Sequence, residues 1–332
     1  MYNFGLVGLI KCADENSERH PSLYLGAMAE YNKRHDLISI EQTGIRAMEN
    51  ISDNLKIRSK IALKAAYASS CLGHYSEMMR FCWEGFRSDT NVRNFLRLFG
   101  TKEMAQQYGV RGNEVLLTTN KATHLFSEAF TRILSQNLIN QSEYNTLCFY
   151  TGDFKKVKKA SQNPSNSLGW SNSFIRYGIR LFLLYLYENP LPSKAAASME
   201  KYVGFPDESD MNELLFFEND ILSESRTNKT SIFWTCFQKW KSYFPMSEKE
   251  KQDYLEWAET IIHSRAEAIV KGLHRRQYGE VAALLAMVAE IKESMGIQNA
   301  KERIYLEYKK NYPRHSSFQS EMTYYFDIKK KR

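Results

Sequence analysis

The triplet Gly73-His74-Tyr75 separates two amphipathic stretches, residues 62–72 and 75–86, and places a glycine where a helical hairpin turns back. Reading Tyr24, Ala27, Tyr31, His35, Leu37, Gly44 and Ala47 against Ala62, Ala65, Ser69, Gly73, Tyr75, Cys82 and Gly85 gives one constant shift. That is an internal repeat. Gly152-Asp153-Phe154 matches the same turn, and Gly112 falls close to midway between it and Gly73. A helical hairpin of this kind cannot bury its apolar face alone, so neighbours must stack into an α-solenoid with a long concave surface. The expectation is a fold that recognises a partner rather than one that performs chemistry.

The repeat spacing of about 40 residues lies between the periods of tetratricopeptide and HEAT units, so the repeat region resembles that class of helical hairpins. Composition agrees with helices. Among 332 residues there are only 7 Pro and 16 Gly, and few stretches alternate apolar with polar residues. The fold class read from the chain is all-α, an α-solenoid of helical hairpins with a C-terminal helical module. The domains are expected at residues 1–204, the repeat region, and 205–332, the module. The break between them is placed at Pro190, Pro192 and the acidic loop around Gly204, Pro206, Asp207, Glu208 and Asp210.

The 45 basic and 38 acidic side chains leave a net charge of +7, a mixed surface that secures solubility and is no polyanion signature. Five cysteines, Cys12, Cys71, Cys82, Cys148 and Cys236, contain no C-x-x-C pair and are expected as reduced thiols packed as small apolar groups. The apolar run near residue 10 lacks the basic residues that precede a secretory signal, and residues 181–187 are far shorter than the roughly 20 needed to cross a bilayer. A cytoplasmic protein without a membrane partner is therefore expected.

In the C-terminal third, Phe233, Phe237, Trp240 and Phe244 form one helical stripe ending at Pro245, and Ser247 with Glu250 forms a capping box for a long helix. Tyr254, Ala258, Ile261, Ile262 and Ile269 line that helix. Val281, Leu284, Leu285, Val288 and Ile291 line the next, with Gly296 as its C-cap, and a last helix spans about residues 316–326. The stretch from His274 to Glu280, then Ala282-Ala283, residues 290–294, residues 307–310, residues 312–315 and Phe318 resemble the helical region that follows the zinc finger of bacterial SWIM zinc-finger proteins. Upstream, Phe233-Trp234, Phe237, Trp240, Pro245 and Tyr254-Leu255 extend the likeness over roughly the final hundred residues. The zinc motif itself needs Cys-x-Cys followed by Cys-x-His, and none of the five cysteines supplies it. What the resemblance implies is a helical accessory module without a metal.

No nucleophile, acid/base or metal constellation can be assembled, so an enzyme is not expected, nor a cofactor. In a tetratricopeptide-like hairpin the first helix lines the groove, which exposes Asn32, Lys33, Lys60, Lys64 and Tyr67 to a protein or peptide partner of acidic character. A candidate anion site joins His274, Arg275 and Arg276 to Arg314, since arginine forks bind oxyanions; the competing reading makes these residues helix caps, with Glu280 against the next helix N-terminus. Gly109-Val110-Arg111-Gly112 matches a backbone-clamping G-x-x-G loop, but the strands of that module are missing from the sequence pattern. The alternative function is a nucleic-acid-associated accessory protein using Lys155, Lys156, Lys158 and Lys159 or the tail at residues 329–332, clusters with no interleaved aromatics.

Overall fold

In the N-terminal half, successive helices hand the chain on through short capped turns: α1 (Gly5–Glu15), α2 (Ser22–Lys33), α3 (Leu37–Asn50), α4 (Lys56–Leu72), α5 (Tyr75–Ser88), α6 (Val92–Arg97) and, later, α7 (Gln141–Tyr150). The computed structural model describes residues 5–109, 141–162, 168, 170, 173–204 and 226–328. Every regular element among the described residues is helical, and no strand occurs among them, as the scarcity of alternating patterns implies. From α1 to α5 each helix packs on the next, an all-α arrangement of consecutive antiparallel hairpins.

The Gly73 turn is a Schellman motif. Gly73 has φ 76°, its amide donates to the Ser70 carbonyl and the His74 amide to that of Ser69. The preceding hairpin closes the same way: His35 has φ 56°, its amide donates to Asn32, and the Asp36 amide donates to Tyr31. A side chain in the left-handed region costs roughly 1–2 kcal/mol. The two cap bonds and the Asp36 carboxylate, which accepts from the Ser39 amide at 3.0 Å, hold His35 there. The second helices of the two hairpins, α3 and α5, are each 14 residues long.

Small residues set how closely these helices approach. Ala62, Ala65, Ala66 and Ala68 on α4 have no exposed surface, and Gly85 on α5 lies against Leu63 and Ser59. Ala66→Leu is therefore expected to cost about 1–3 kcal/mol and to lower the melting temperature, because three extra carbons have no space between stacked helices. An unchanged melt would sink this packing. One buried cation crosses the layer: Arg58 donates to the Met48 carbonyl at 2.8 Å, to that of Ile51, and to Glu84 at 2.7 Å. It thereby caps the C-terminus of α3 from α4.

The connection after α6 is a helical turn, Lys102–Met104, running into a turn of π-helix, Ala105–Gly109. Thr101 opens it, its hydroxyl accepting from the Met104 amide at 3.2 Å. The remainder of the Gly109–Gly112 loop, the acidic stretch from 205 to 225 and the tail from 329 lie outside the described residues.

Packing groups the described residues up to Thr151, with Arg226, in one unit, and those at 152–204 and 227–328 in the other. In the second unit are α8 (Phe154–Ala160), α9 (Ile175–Leu186), α10 (Lys194–Val203), α11 (Ile232–Tyr243), α12 (Glu248–Lys271), α13 (Tyr278–Ser294), α14 (Ala300–Asn311) and α15 (Ser316–Tyr325). The reason for this division lies in α13. Every residue from Val281 to Val288 has no exposed surface, so this helix is apolar all round and needs cover on every side. α9, α10, α12, α14 and α15 all pack on it, which draws the segment before Gly204 into the C-terminal unit.

The helix signals of this unit fall where the sequence places them. Ser247 Oγ accepts from the Glu250 amide and Glu250 from the Ser247 amide at 3.0 Å, the expected capping box. Gly296 ends α13 at φ 88°, with the Ile297 amide donating to Lys292. Phe233, Phe237 and Trp240 of the stripe on α11 are buried and Phe244 just after the helix is half-buried, the Phe237, Trp240 and Phe244 rings standing in succession at 5.3 and 5.4 Å. The cysteine expectation needs correction. Cys82, Cys148 and Cys236 are buried, whereas Cys12 and Cys71 are exposed, Cys71 near the C-terminal end of α4.

Candidate functional site

Lys60, Lys64 and Tyr67 follow one another at i, i+4 and i+7, so α4 carries them on one face. Both lysines are exposed, and neither makes an ion pair with any described residue; Tyr67 is half-buried. This contrasts with several of the unit's other cations. Arg58, Arg87 and Lys56 pair with Glu84, Asp53 and Asp89, and Arg80 pairs with Glu77. Asn32 and Lys33 are exposed at the C-terminal end of α2, which packs on α4, and Lys33 Nζ lies 2.6 Å from Glu30. That neighbour holds the Glu30 carboxyl below its ordinary range by hydrogen bond and charge.

The residues of the candidate anion turn are spread over the surface. His274, Arg275 and Arg276 are exposed in the turn between α12 and α13, Arg275 to Gln277 forming a single 3-10 turn. Arg314 is exposed between α14 and α15. No hydrogen bond or ion pair among the described residues joins the four. Leu273, at φ 56°, ends α12 with the His274 amide on the Ile269 carbonyl, so this part of the turn is a helix cap.

Glu280 does something the sequence did not reveal. It sits in the first turn of α13, as a helix dipole favours, but its carboxylate is nearly buried and receives two arginines from α9. Arg180 Nη2 donates to Glu280 Oε1 at 2.5 Å, and Arg176 Nε lies 3.3 Å from the same oxygen. Arg265 reaches the neighbourhood from α12, donating to Gln277 Oε1 at 2.6 Å with its guanidinium 5.1 Å from the Trp170 ring centre. The guanidiniums of Arg176 and Arg180 both lie over the Tyr202 ring, at 4.3 and 4.1 Å, where the negative face of the ring offsets part of their charge.

The electrostatics follow from this crowding. Burial pushes the Glu280 carboxyl upward, but Arg180, Arg176 and Arg265 outweigh it and hold the group below the usual carboxylate range. Burial pulls Arg180 below its ordinary value, with Glu280 opposing and Arg176 adding to the effect. Arg265 is lowered by burial and by repulsion from its two arginine neighbours. A signal for this cluster does exist in the sequence: Arg176 and Arg180 stand four apart in an otherwise apolar helix, and a buried arginine requires a partner.

Two other polar networks are structural ties. Buried Glu41 accepts from the Ser69 hydroxyl at 2.5 Å and lies 2.9 Å from His74 Nδ1. The carboxylate is in the middle, so the imidazole is not placed to take the serine proton as a nucleophilic triad requires. In the second unit, Tyr308 Oη lies 2.6 Å from His263 Nδ1, and Glu259 links His263 to Lys292. The Tyr308 hydroxyl is pushed up by burial and by nearby carboxylates, which suits a hydrogen-bonding role rather than a base.

Lys158, read as part of a lysine cluster with no interleaved aromatics, lies over the rings of Tyr254 and Trp257 at 5.5 and 5.6 Å, aromatics supplied by a helix distant in sequence. A cavity of about 320 Å³ opens beside α1, α2 and α3, lined by Ile10, Tyr31, Gln42, Thr43 and Arg46 among others. Among the described residues no three His, Cys, Asp or Glu side chains gather as metal ligands do, and no helix is long and apolar enough to cross a membrane. No protein-family model, curated protein or solved structure matches the chain.

Proposed function

We propose that this chain is a non-enzymatic helical-repeat protein of the cytoplasm that binds an acidic protein or peptide segment along α4. One observation carries the reading: Lys60 and Lys64 are exposed, one turn apart and free of ion pairs with described residues, in a unit where Lys56, Arg58, Arg80 and Arg87 are matched by carboxylates. Tyr67, one turn further, offers an amphipathic ring of the kind that anchors interfaces. Asn32 and Lys33 on α2 extend the same strip, since α2 and α4 are the first helices of adjacent hairpins. The absence of disulfides among the five thiols fits a reducing compartment.

Fluorescence anisotropy with a labelled pool of acidic peptides tests this. Charge reversal by Lys60→Glu with Lys64→Glu is expected to abolish binding, while Lys155→Glu with Lys159→Glu leaves it nearly intact. Peptide binding that survives the α4 reversal would remove the assignment. In the parallel arm, submicromolar capture of mixed DNA and RNA that falls linearly with salt on logarithmic axes and is lost with Lys155 and Lys159 would favour the nucleic-acid reading instead.

A further inference from the structure

Two turns at one end of the C-terminal unit carry charge of a single sign. The first, residues 271–277, holds Lys271, Arg275 and Arg276; the second, residues 309–316, holds Lys309, Lys310 and Arg314, and neither contains an Asp or Glu. They are neighbours because α13 packs on α15, the Tyr278 ring standing edge-on to Phe318 at 5.4 Å. The Tyr312 hydroxyl in the second turn also feels the charges of Glu267 and Lys271 at the end of α12. All six cations are exposed. Lys271 pairs with Glu267, and Lys309 lies over the Tyr305 ring at 5.7 Å. Arg275, Arg276, Lys310 and Arg314 form no ion pair among the described residues.

Helix ends account for only part of this charge. A helix C-terminus favours cations within its last turn, where Lys271 stands on α12 and Lys309 and Lys310 on α14. Arg275, Arg276 and Arg314 lie beyond those turns, and their side chains form no hydrogen bond among the described residues. Beside them the chain exposes apolar groups. Leu273 is 59% exposed at φ 56°, held there by the His274 amide on the Ile269 carbonyl, and Pro313 is exposed in the second turn. The aromatics of this end, Tyr278 and Tyr312, are buried and offer no platform on which nucleic-acid bases could stack. Dispersed cations with an exposed leucine among them suit a plane of anionic headgroups: clusters of four to eight Lys and Arg associate with anionic lipid, and an apolar side chain entering the headgroup boundary adds a second attraction.

We propose that this end of the C-terminal unit, through Lys271, Arg275, Arg276, Lys310, Arg314 and Leu273, is a peripheral docking surface for an anionic lipid bilayer. The bilayer is touched and not crossed, as no described helix is long and apolar enough to span one. The surface is independent of the peptide reading on α4. Its arginines are not gathered around one point, which suits many headgroups and not a single bound anion.

The test is co-sedimentation of the full chain with phosphatidylcholine vesicles, with and without phosphatidylserine, at low and at high salt. Binding is expected only where phosphatidylserine is present and is expected to fall steeply with salt. Equal binding to both kinds of vesicle, or to neither, overturns the proposal. Arg275→Gln with Arg276→Gln is expected to keep its melting temperature and to bind phosphatidylserine vesicles at least tenfold more weakly, because each cation removed from such a surface costs severalfold. Leu273→Asn places a residue that tolerates the left-handed backbone, so it is expected to fold, and to weaken vesicle binding severalfold. Undiminished vesicle binding in either variant refutes the surface. Mixed-sequence DNA and RNA serve as the competing ligands: tighter binding to them than to phosphatidylserine vesicles, lost with Arg275 and Arg276, assigns the turns to nucleic acid and overturns the bilayer. Lys60→Gln with Lys64→Gln is expected to leave vesicle binding unchanged; its loss in that variant would place the contact on α4 and refute this one.

Discussion

Arg58→Ala is expected to destabilise the N-terminal unit by about 3 kcal/mol, read as a lowered midpoint in urea denaturation. Arg58 is 4% exposed and makes charge-assisted bonds to two backbone carbonyls of the α3 terminus, Met48 and Ile51, and to Glu84 on α5. Removing one partner of a buried pair typically costs about 3–5 kcal/mol, because it leaves the others desolvated and unmatched. The lower end applies here, since Arg87 also pairs with Glu84, at 3.3 Å, and with Asp53, so the carboxylates keep a cation. The two carbonyls have no such substitute. Arg58→Lys is expected to recover less than half of the loss, because one ammonium cannot span both carbonyls and Glu84 in the way a planar fork does. A loss below 1 kcal/mol for the alanine variant would show that α3 does not depend on this clamp.

The sequence reveals those features whose cause is local. Gly73, Gly296 and the Ser247–Glu250 pair act through backbone bonds within one turn, and each forms the cap its neighbours imply. His35 is harder to see, because a histidine does not advertise the left-handed conformation; only its register with Gly73 in the repeat marks it. Small residues hide their burial. The stripe from Val281 to Ile291 reads as one apolar face, yet Ala282, Ala283, Ala286, Met287 and Ala289 are buried too, and that all-round burial is what draws α9 and α10 into the C-terminal unit. Alanine on a helix signals neither core nor surface, so no local rule marks the break at Gly152.

The candidate site divides along the same line. The exposed strip of Lys60, Lys64 and Tyr67 depends only on helical spacing within α4 and is visible in the sequence. The arginine cluster is assembled by α9, α12 and α13, and its members acquire meaning only from tertiary proximity. Glu280 illustrates the difference. Its place near a helix N-terminus is a local fact, whereas its role as counter-ion to Arg180 and Arg176 comes from a helix far upstream.

Gly44→Ala offers the sharpest view of what the repeat spacing is for. A methyl group at Gly44 on α3 would stand 2.2 Å from the Ala65 Cβ on α4 and 3.2 Å from the Phe81 ring on α5. Neither methyl can rotate away, because a Cβ is fixed by its backbone, so α3 and α4 must separate. Alanine gains about 1 kcal/mol over glycine in a helix interior, whereas overpacking a core typically costs about 1–3 kcal/mol. With a contact this short and both Ala65 and Phe81 fully buried, the clash wins, and a net loss of about 2 kcal/mol or more is expected. The pair Gly44→Ala with Ala65→Gly moves the methyl from one helix to the other at the same point of contact. Ala65→Gly alone is expected to cost about 1 kcal/mol from helix propensity. The double variant is expected to be more stable than Gly44→Ala by about 1 kcal/mol or more, a positive coupling that only direct contact produces. Additive losses in the double variant would mean that α3 and α4 do not meet at these residues, and a stabilised Gly44→Ala would mean that propensity alone governs the position.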